Sequence, residues 1–328
     1  MNICYILESG GLCGGVRVIF EHAIRLQARG HKVVIASLDP APNWFDLGSV
    51  QWWEFDNYLS MKERLVSERG KKIATWWKTA PVVRDSSQEG EGCYFIQDVE
   101  TAYYWRRAEK ELVLSTYGYD LKHYTDEKWV ADNMPGTFWV GQAYDSGLYR
   151  PMKYSYPQNK RVIACVRRQA LKGFGELGEF ARRLGKEKDI ELVTYGFDHP
   201  PTFGGAWSKH FRGMPDSDVV RMFSEGTVHI STSLHEGFGL TMLEAMACGC
   251  AVATFDSDGN YFCKDQVNCA KVTKGDVEGL VDSTVAIIRD EKLRKHLIQN
   301  GLDTAREFSD WAPVVNRLEE FLGQTSTQ

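Results

Sequence analysis

Between residues 160 and 255 short apolar runs alternate with amphipathic ones: KRVIACV, LGEFARRLGK, IELVTYG, DVVRMFSEG, VHISTS, LTMLEAMACGC and AVATFD follow one another closely. Each strand-like run is short and is followed by a segment with helical apolar spacing. A strand that returns through a helix to the next strand builds a parallel sheet covered by helices, which is a doubly wound α/β domain. The N-terminus opens on the same pattern: NICYIL, the loop ESGGLCGG, the helix VRVIFEHAIRLQARG and HKVVIASL make a βαβ unit. In that helix Ile19, Ala23 and Leu26 share a face, and Gly30 stands where a C-terminal cap belongs. A chain of 328 residues exceeds one comfortable core, so two α/β domains are expected. The segment YRPMKYSYPQNK, residues 149–160, has two prolines and little periodicity and reads as the linker. The expected division is residues 1–150, residues 151–305, and a C-terminal helix over residues 306–328 that packs back on the first domain. Residues 40–92 show no clean periodicity.

Charge excludes some functions. The 39 basic and 44 acidic residues leave a net charge of -5, so no global field recruits nucleic acid or anionic lipid. QWWEFDNYLSMKERLVSERGKK interleaves basic and aromatic residues, but Glu54, Asp56, Glu63 and Glu68 interrupt it, and packed tryptophans beside a solvated helix account for it. The eight cysteines form no CxxC pair, and CGC at 248–250 lacks a second ligand pair, so free thiols in a reducing cytosol are expected. NICYILESGG has no basic lead or cleavage site, and no run reaches the ~18 apolar residues of a membrane span. The expectation is a cytoplasmic protein, with peripheral contact at the inner face of the membrane left open.

The chemistry concentrates in HEGFGLTMLEAMACGCAV, residues 235–252. Leu240, Leu243 and Ala247 mark a buried helix face, so the helix begins near Gly239 with its first amides available to an anion. Glu236 then lies in the preceding loop, and Glu244 lies roughly 7 to 8 Å beyond Gly239 at ~1.5 Å of rise per residue. A nucleotide sugar fits this arrangement: one carboxylate for each set of hydroxyls, and helix amides on the phosphate bridge. The plainer alternative makes Glu244 a solvated face residue and Glu236 an acid favoured by the helix dipole. Two carboxylates repel a diphosphate, so cations must come from elsewhere. VRRQALKG supplies Arg167, Arg168 and Lys172 at the carboxyl end of a parallel strand, where such sheets bind ligands. GGLCGG also joins a strand to a helix, but GxGxxG is absent, and Val16 and Arg17 follow Gly15 where a Walker loop needs lysine. A tight turn explains that loop equally well.

The E-x7-E pair, RRQALKG after a strand, the N-terminal glycine loop and FWVGQAYDSGLYRP together resemble glycosyltransferase family 4. The resemblance implies a GT-B fold, with two Rossmann-like domains facing a central cleft, an N-terminal acceptor domain and a C-terminal nucleotide-sugar domain. It implies a retaining transfer of a sugar from a nucleoside-diphosphate donor to a glycan or lipid-linked saccharide. By the same resemblance, Glu244 binds the ribose, Glu236 approaches the donor sugar, and the backbone from Phe238 through Gly239, Leu240 and Thr241 holds the distal phosphate and sugar. Arg167 and Lys172 neutralise the diphosphate, with Arg168 the substitute if the register slips by one. Gly14 and Gly15 let donor and acceptor approach, and Met214 in FRGM lines the base.

Two departures bear on mechanism. Gln97 and Asp98 of CYFIQDVE stand on the acceptor side where many relatives carry His-Asp. Gln97 cannot carry a proton, and Asp98 points to the opposite face if the strand continues through both. The Gln-Asp form resembles a branch with bacterial rhamnosyltransferases of surface polysaccharides, a hint toward a deoxythymidine-diphosphate sugar. The family's usual glutamate after AVATFD is replaced in SDGNYFCKD by Asn260, Tyr261 and Phe262. DSD at 216–218 and 256–258 mimics a metal-binding triplet common in loops. Neither a metal nor any other cofactor is expected, because Arg167, Lys172 and the helix N-terminus supply the positive charge. The alternatives are a non-catalytic sugar-nucleotide-binding protein of the same fold and transfer to a non-glycan acceptor such as modified DNA.

Overall fold

The computed structural model describes residues 1–152, 160–201 and 209–324. The chain forms two compact units, Met1–Gln142 with Ala312–Gln328, and Ala143–Trp311.

The first unit runs β1 (Asn2–Leu7), α1 (Gly14–Ala28), β2 (Lys32–Ser37), β3 (Gln51–Glu54), α2 (Tyr58–Val66), β4 (Lys71–Ala74), α3 (Ala80–Ser86), β5 (Gly92–Phe95), α4 (Arg107–Tyr117), β6 (Lys122–Thr125), α5 (Lys128–Asn133) and β7 (Phe138–Trp139). Its strands form one parallel sheet in the order β3-β2-β1-β4-β5-β6-β7. Residues 40–92 lack a clean apolar period, yet β3, α2, β4 and α3 all lie there. The cause is visible in β4, KKIA, whose Lys72 is buried with its ammonium 3.2 Å from Glu91. A strand that opens on two lysines does not look like core.

The second unit runs β8 (Lys160–Cys165), α6 (Phe174–Leu184), β9 (Ile190–Gly196), β10 (Lys209–Arg212), α7 (Asp216–Glu225), β11 (Val228–Ser231), α8 (Leu240–Ala247), β12 (Ala251–Phe255), β13 (Ala270–Val272), α9 (Val277–Arg289) and α10 (Glu291–Glu307). Its parallel sheet has the order β10-β9-β8-β11-β12-β13. Each face has its own core, one gathering Met222, Phe223, Leu243 and Met246, the other Leu177, Phe180, Leu280 and Ile287.

The division departs from the expected boundaries at two places. Residues 143–150 group with the second unit because Tyr144 and Tyr149 are buried in its core. Residues 306–311 stay there too, where the Phe308 carbonyl accepts the Tyr144 amide at 3.1 Å. The chain then returns to the first unit as α11 (Ala312–Gly323). Glu319 receives Arg29 at 2.5 Å and His31 at 2.8 Å, and Phe321 packs on Tyr124 with ring centroids 4.9 Å apart. Of the expected linker, residues 153–159 lie outside the described residues. Among the described residues no helix is long and apolar enough to cross a membrane.

Candidate functional site

Strand order in the second sheet reverses between β8 and β11, and the crevice at such a reversal, outside the carboxyl ends of the strands, is where doubly wound sheets take ligands. The loops that leave those two strands are laced together. The Leu171 carbonyl accepts the amides of Leu234 at 2.9 Å and His235 at 3.0 Å, and Thr232 Oγ1 donates to the Gly173 carbonyl at 3.0 Å. Gly173 has φ +68°, and a Cβ there would fall 1.7 Å from the Thr232 carbonyl oxygen. Only glycine permits this approach.

The lacing brings two of the sequence-derived candidates into contact. Lys172 Nζ donates to Glu236 Oε2 at 2.8 Å and to the His235 carbonyl at 2.9 Å. An ammonium has three N–H groups, so one direction remains for a ligand. Behind Glu236, the turn at 257–260 closes so tightly that a Cβ on Gly259 would lie 1.9 Å from the Gly237 carbonyl. Asn260 holds that turn, donating to the Phe255 carbonyl at 2.8 Å and accepting from the Ser257 amide at 3.2 Å. It is buried and structural, so it does not stand in for the missing glutamate's side chain.

Gly239, at φ +86°, precedes α8, and no side chain caps the helix. Its carbonyl takes the amides of Met242 at 3.0 Å and Leu243 at 3.4 Å, which leaves the amides of Leu240 and Thr241 at the open end. The Phe238 ring is turned into the core, with centroids 5.1 Å from Phe262 and 5.5 Å from Phe308, so only its backbone faces the loop. Glu244 is 8% exposed, which removes the solvated-face alternative. Arg167 is half-buried. Arg168 is exposed, and its amide donates to Asp198 at 2.8 Å. Met214 is half-buried against the same core as Met242 and Leu243.

The first sheet reverses between β1 and β4, and the glycine loop follows β1. Gly14 and Gly15 open α1, whose N-terminus is capped by Cys13, the thiol accepting the Val16 amide at 3.5 Å. Gln97 Nε2 donates to the Gly15 carbonyl at 3.1 Å, and a Cβ on Gly15 would lie 2.9 Å from Gln97 Oε1. The strand expected to run through Gln97 and Asp98 ends at Phe95. Both residues therefore lie in a turn, and the inference that they point to opposite faces does not apply. Asp98 accepts its neighbour Val99's amide at 2.7 Å and the Tyr103 hydroxyl at 2.6 Å.

Three buried carboxyls around this turn carry no signal in the sequence. Asp126 accepts Gln142 Nε2 at 2.9 Å, and burial pushes its pKa up to about 8, against the lowering effect of the nearby Gln97 amide. Glu100 accepts the Trp77 amide and the Tyr94 hydroxyl, each at 2.9 Å, and burial likewise pushes it up to about 8. Glu127 is buried beside Asp126 in the chain. By local pattern these acids look like ordinary loop and helix-entry residues.

Residues 160–290 match the family described as Glycosyl transferases group 1. Among curated proteins, the poly(glycerol-phosphate) alpha-glucosyltransferase of Bacillus subtilis (strain 168) is 26% identical over 145 residues, 42% of this chain and 21% of that protein. The N,N'-diacetylbacillosaminyl-diphospho-undecaprenol alpha-1,3-N-acetylgalactosaminyltransferase of Campylobacter jejuni is 29% identical over 164 residues, 46% of this chain and 42% of that protein. The chain thus matches less than half the length of either relative. Among solved structures, Anabaena HepE in complex with UDP-glucose superposes with a TM-score of 0.84 at 14% identity, over 98% of this chain and 99% of that one. A sucrose-phosphate synthase from Thermosynechococcus elongatus superposes with a TM-score of 0.79 at 15% identity, over 98% of each chain. The two parallel sheets with their flanking helices are the GT-B fold.

Proposed function

We propose, from a second unit that matches group 1 glycosyl transferases over residues 160–290, that this chain moves a sugar from a nucleoside-diphosphate donor to a glycan or lipid-linked saccharide, with retention of configuration and without a metal. The observation that carries the reading is the Lys172–Glu236 pair, 2.8 Å apart at the strand-order reversal, in the loop leading to the open N-terminus of α8. In this reading the amides of Leu240 and Thr241, the third N–H of Lys172 and the guanidinium of Arg167 receive the diphosphate. Charge on the leaving phosphate grows as the glycosidic bond breaks, so those groups act most strongly in the transition state. Glu244 accepts from the ribose hydroxyls. Glu236, held by Lys172, accepts from the hydroxyls of the donor sugar.

On the acceptor side Gln97 can orient a hydroxyl but cannot remove its proton. The departing phosphate oxygen takes that proton in a front-face displacement, so no protein base is needed. UDP and dTDP sugars are the first donors to try, the former because a protein of the same fold holds UDP-glucose. The test is release of nucleoside diphosphate coupled to growth of an added oligosaccharide or polyprenyl-diphosphate saccharide. Binding of nucleotide sugars without hydrolysis or transfer to any acceptor class would replace catalysis with a binding role.

A further inference from the structure

The first sheet reverses its strand order between β1 and β4, so two loops meet at its ligand-taking edge: the glycine loop after β1 and the turn at 75–79 after β4. Buried hydrogen bonds fix the second of these. Thr79 is buried, and its Oγ1 accepts the amides of Thr75 at 3.1 Å and Trp76 at 3.2 Å while donating to the Trp76 carbonyl at 2.8 Å. Thr75 Oγ1 donates to the Ile6 carbonyl of β1 at 2.8 Å, and the Trp77 amide donates to Glu100 at 2.9 Å. The two tryptophans of this turn differ. The Trp77 indole N–H donates to the Tyr104 hydroxyl at 2.8 Å, and the indoles of Trp44, Trp52 and Trp139 donate to backbone carbonyls. Trp76 is half-buried, and its indole N–H meets no acceptor among the described residues.

Printed contacts tie Trp76 to the turn that carries Gln97. Its ring meets Tyr103 edge-on, with centroids 6.0 Å apart, and the Tyr103 hydroxyl donates to Asp98 at 2.6 Å, beside Gln97 in the chain. Tyr103 and Gln97 are half-buried, as Trp76 is. Two residues after Trp76, Lys78 Nζ donates across the reversal to Glu8 at 2.8 Å, and both partners are half-buried. A partly open aromatic ring on a fixed backbone, among a few polar groups, is the make-up of a ligand site. A hexopyranose matches it, because its axial C–H groups form an apolar face that packs on an indole while its hydroxyls reach polar side chains at the rim. We propose that Trp76, backed by Tyr103, stacks a hexopyranose ring of the acceptor next to Gln97. The proposal rests on the reading of this chain as a glycosyltransferase whose first unit takes the acceptor. It adds a recognition residue from the turn after β4, outside the glycine loop and the Gln97–Asp98 turn.

Trp76→Ala removes the ring, and Trp76→Leu keeps an apolar side chain without an aromatic face should the alanine variant fail to fold. The probes are the methyl glycosides of glucose, galactose, mannose and N-acetylglucosamine, followed by saturation-transfer NMR on the intact chain. UDP, GDP and dTDP, followed by calorimetry, serve as the control. The wild-type protein is expected to bind at least one glycoside, with saturation strongest on the C–H face of the ring. The folded variant should lose roughly tenfold or more in affinity for that glycoside and keep its nucleotide affinity. Wild-type glycoside affinity in the variant overturns the proposal and leaves the donor-site reading intact. A wild-type protein that binds none of the glycosides overturns it as well. A variant that loses nucleotide affinity instead overturns it, because the indole would then serve the donor. If the wild-type protein binds glycosides but none of the three nucleotides, the donor-site reading fails, and the glycoside comparison still judges Trp76.

Discussion

At the scale of single residues, some carboxylates lie at the candidate site and others are sealed in elsewhere. Glu244 sits one turn inside α8 and is nearly buried, beside the open helix end. Replacing it with alanine should weaken nucleotide binding by roughly 10- to 100-fold, the range of a charge-assisted hydrogen bond, and calorimetry on the folded variant measures this. Unchanged affinity would take the ribose away from Glu244. Lys172→Ala and Arg167→Ala should each lower turnover by roughly two to three orders of magnitude, with small shifts in melting, because their charge is needed most when the diphosphate departs. Wild-type kinetics in both would remove them from the site. Glu100 belongs to the sealed class. Its ordinary value is 4.5 and burial raises it to about 8, so the folded protein holds a proton there that the unfolded chain has released. Its contribution to stability is therefore full below pH 4.5 and falls as pH rises toward 8. Glu100→Gln keeps an acceptor for the Trp77 amide and the Tyr94 hydroxyl, so its melting advantage over wild type should grow between about pH 5 and pH 8. An equal difference at both ends of that range would mean that Glu100 titrates normally.

Among the elements, two glycines two residues apart carry opposite predictions. Gly173 joins the loop after β8 to α6 in a left-handed conformation against the Thr232 carbonyl. Gly173→Ala should cost about 2 kcal/mol or more in denaturant unfolding and should reduce turnover, because the strained loop carries Lys172. Gly175 lies inside α6, and a methyl group added to its Cα would meet nothing within 4 Å, so Gly175→Ala should stabilise by about 0.5 kcal/mol. Equal effects would show that the lacing of the two loops does not constrain the site. The same elements explain how far local pattern reaches. The start of α8 and the positions of Glu236 and Glu244 depend on a glycine and an apolar period within one short segment, and both are legible in the sequence. The Lys172–Glu236 contact spans 64 residues and exists only because β8 and β11 are neighbours in the sheet, so local pattern can nominate both residues but cannot pair them. The end of β5 before Gln97 is hidden because an apolar run gives no sign of where pairing stops. Asp126 is equally hidden, since an acid after a strand reads as a solvated helix entry.

The whole molecule combines two doubly wound units. One carries the matched region with its open helix end and Lys172–Glu236 pair; the other presents Gln97 against Gly15. In the proposed reaction the first unit would offer the acceptor an amide where a histidine would be a base, and the second unit would bring positive charge to the donor. A chain so arranged should transfer without inversion, because inversion requires a base on the acceptor and retention by front-face displacement does not. It should also work without a divalent ion, because in the proposed reaction Arg167, Lys172 and the amides of Leu240 and Thr241 would stabilise the departing phosphate. The most direct test is proton NMR of the product anomer, with a donor that the protein accepts, in the presence and absence of EDTA. The predicted result is a product with the donor's anomeric configuration, formed at the same rate under both conditions. An inverted product, or activity lost to EDTA and restored by magnesium, would contradict the account.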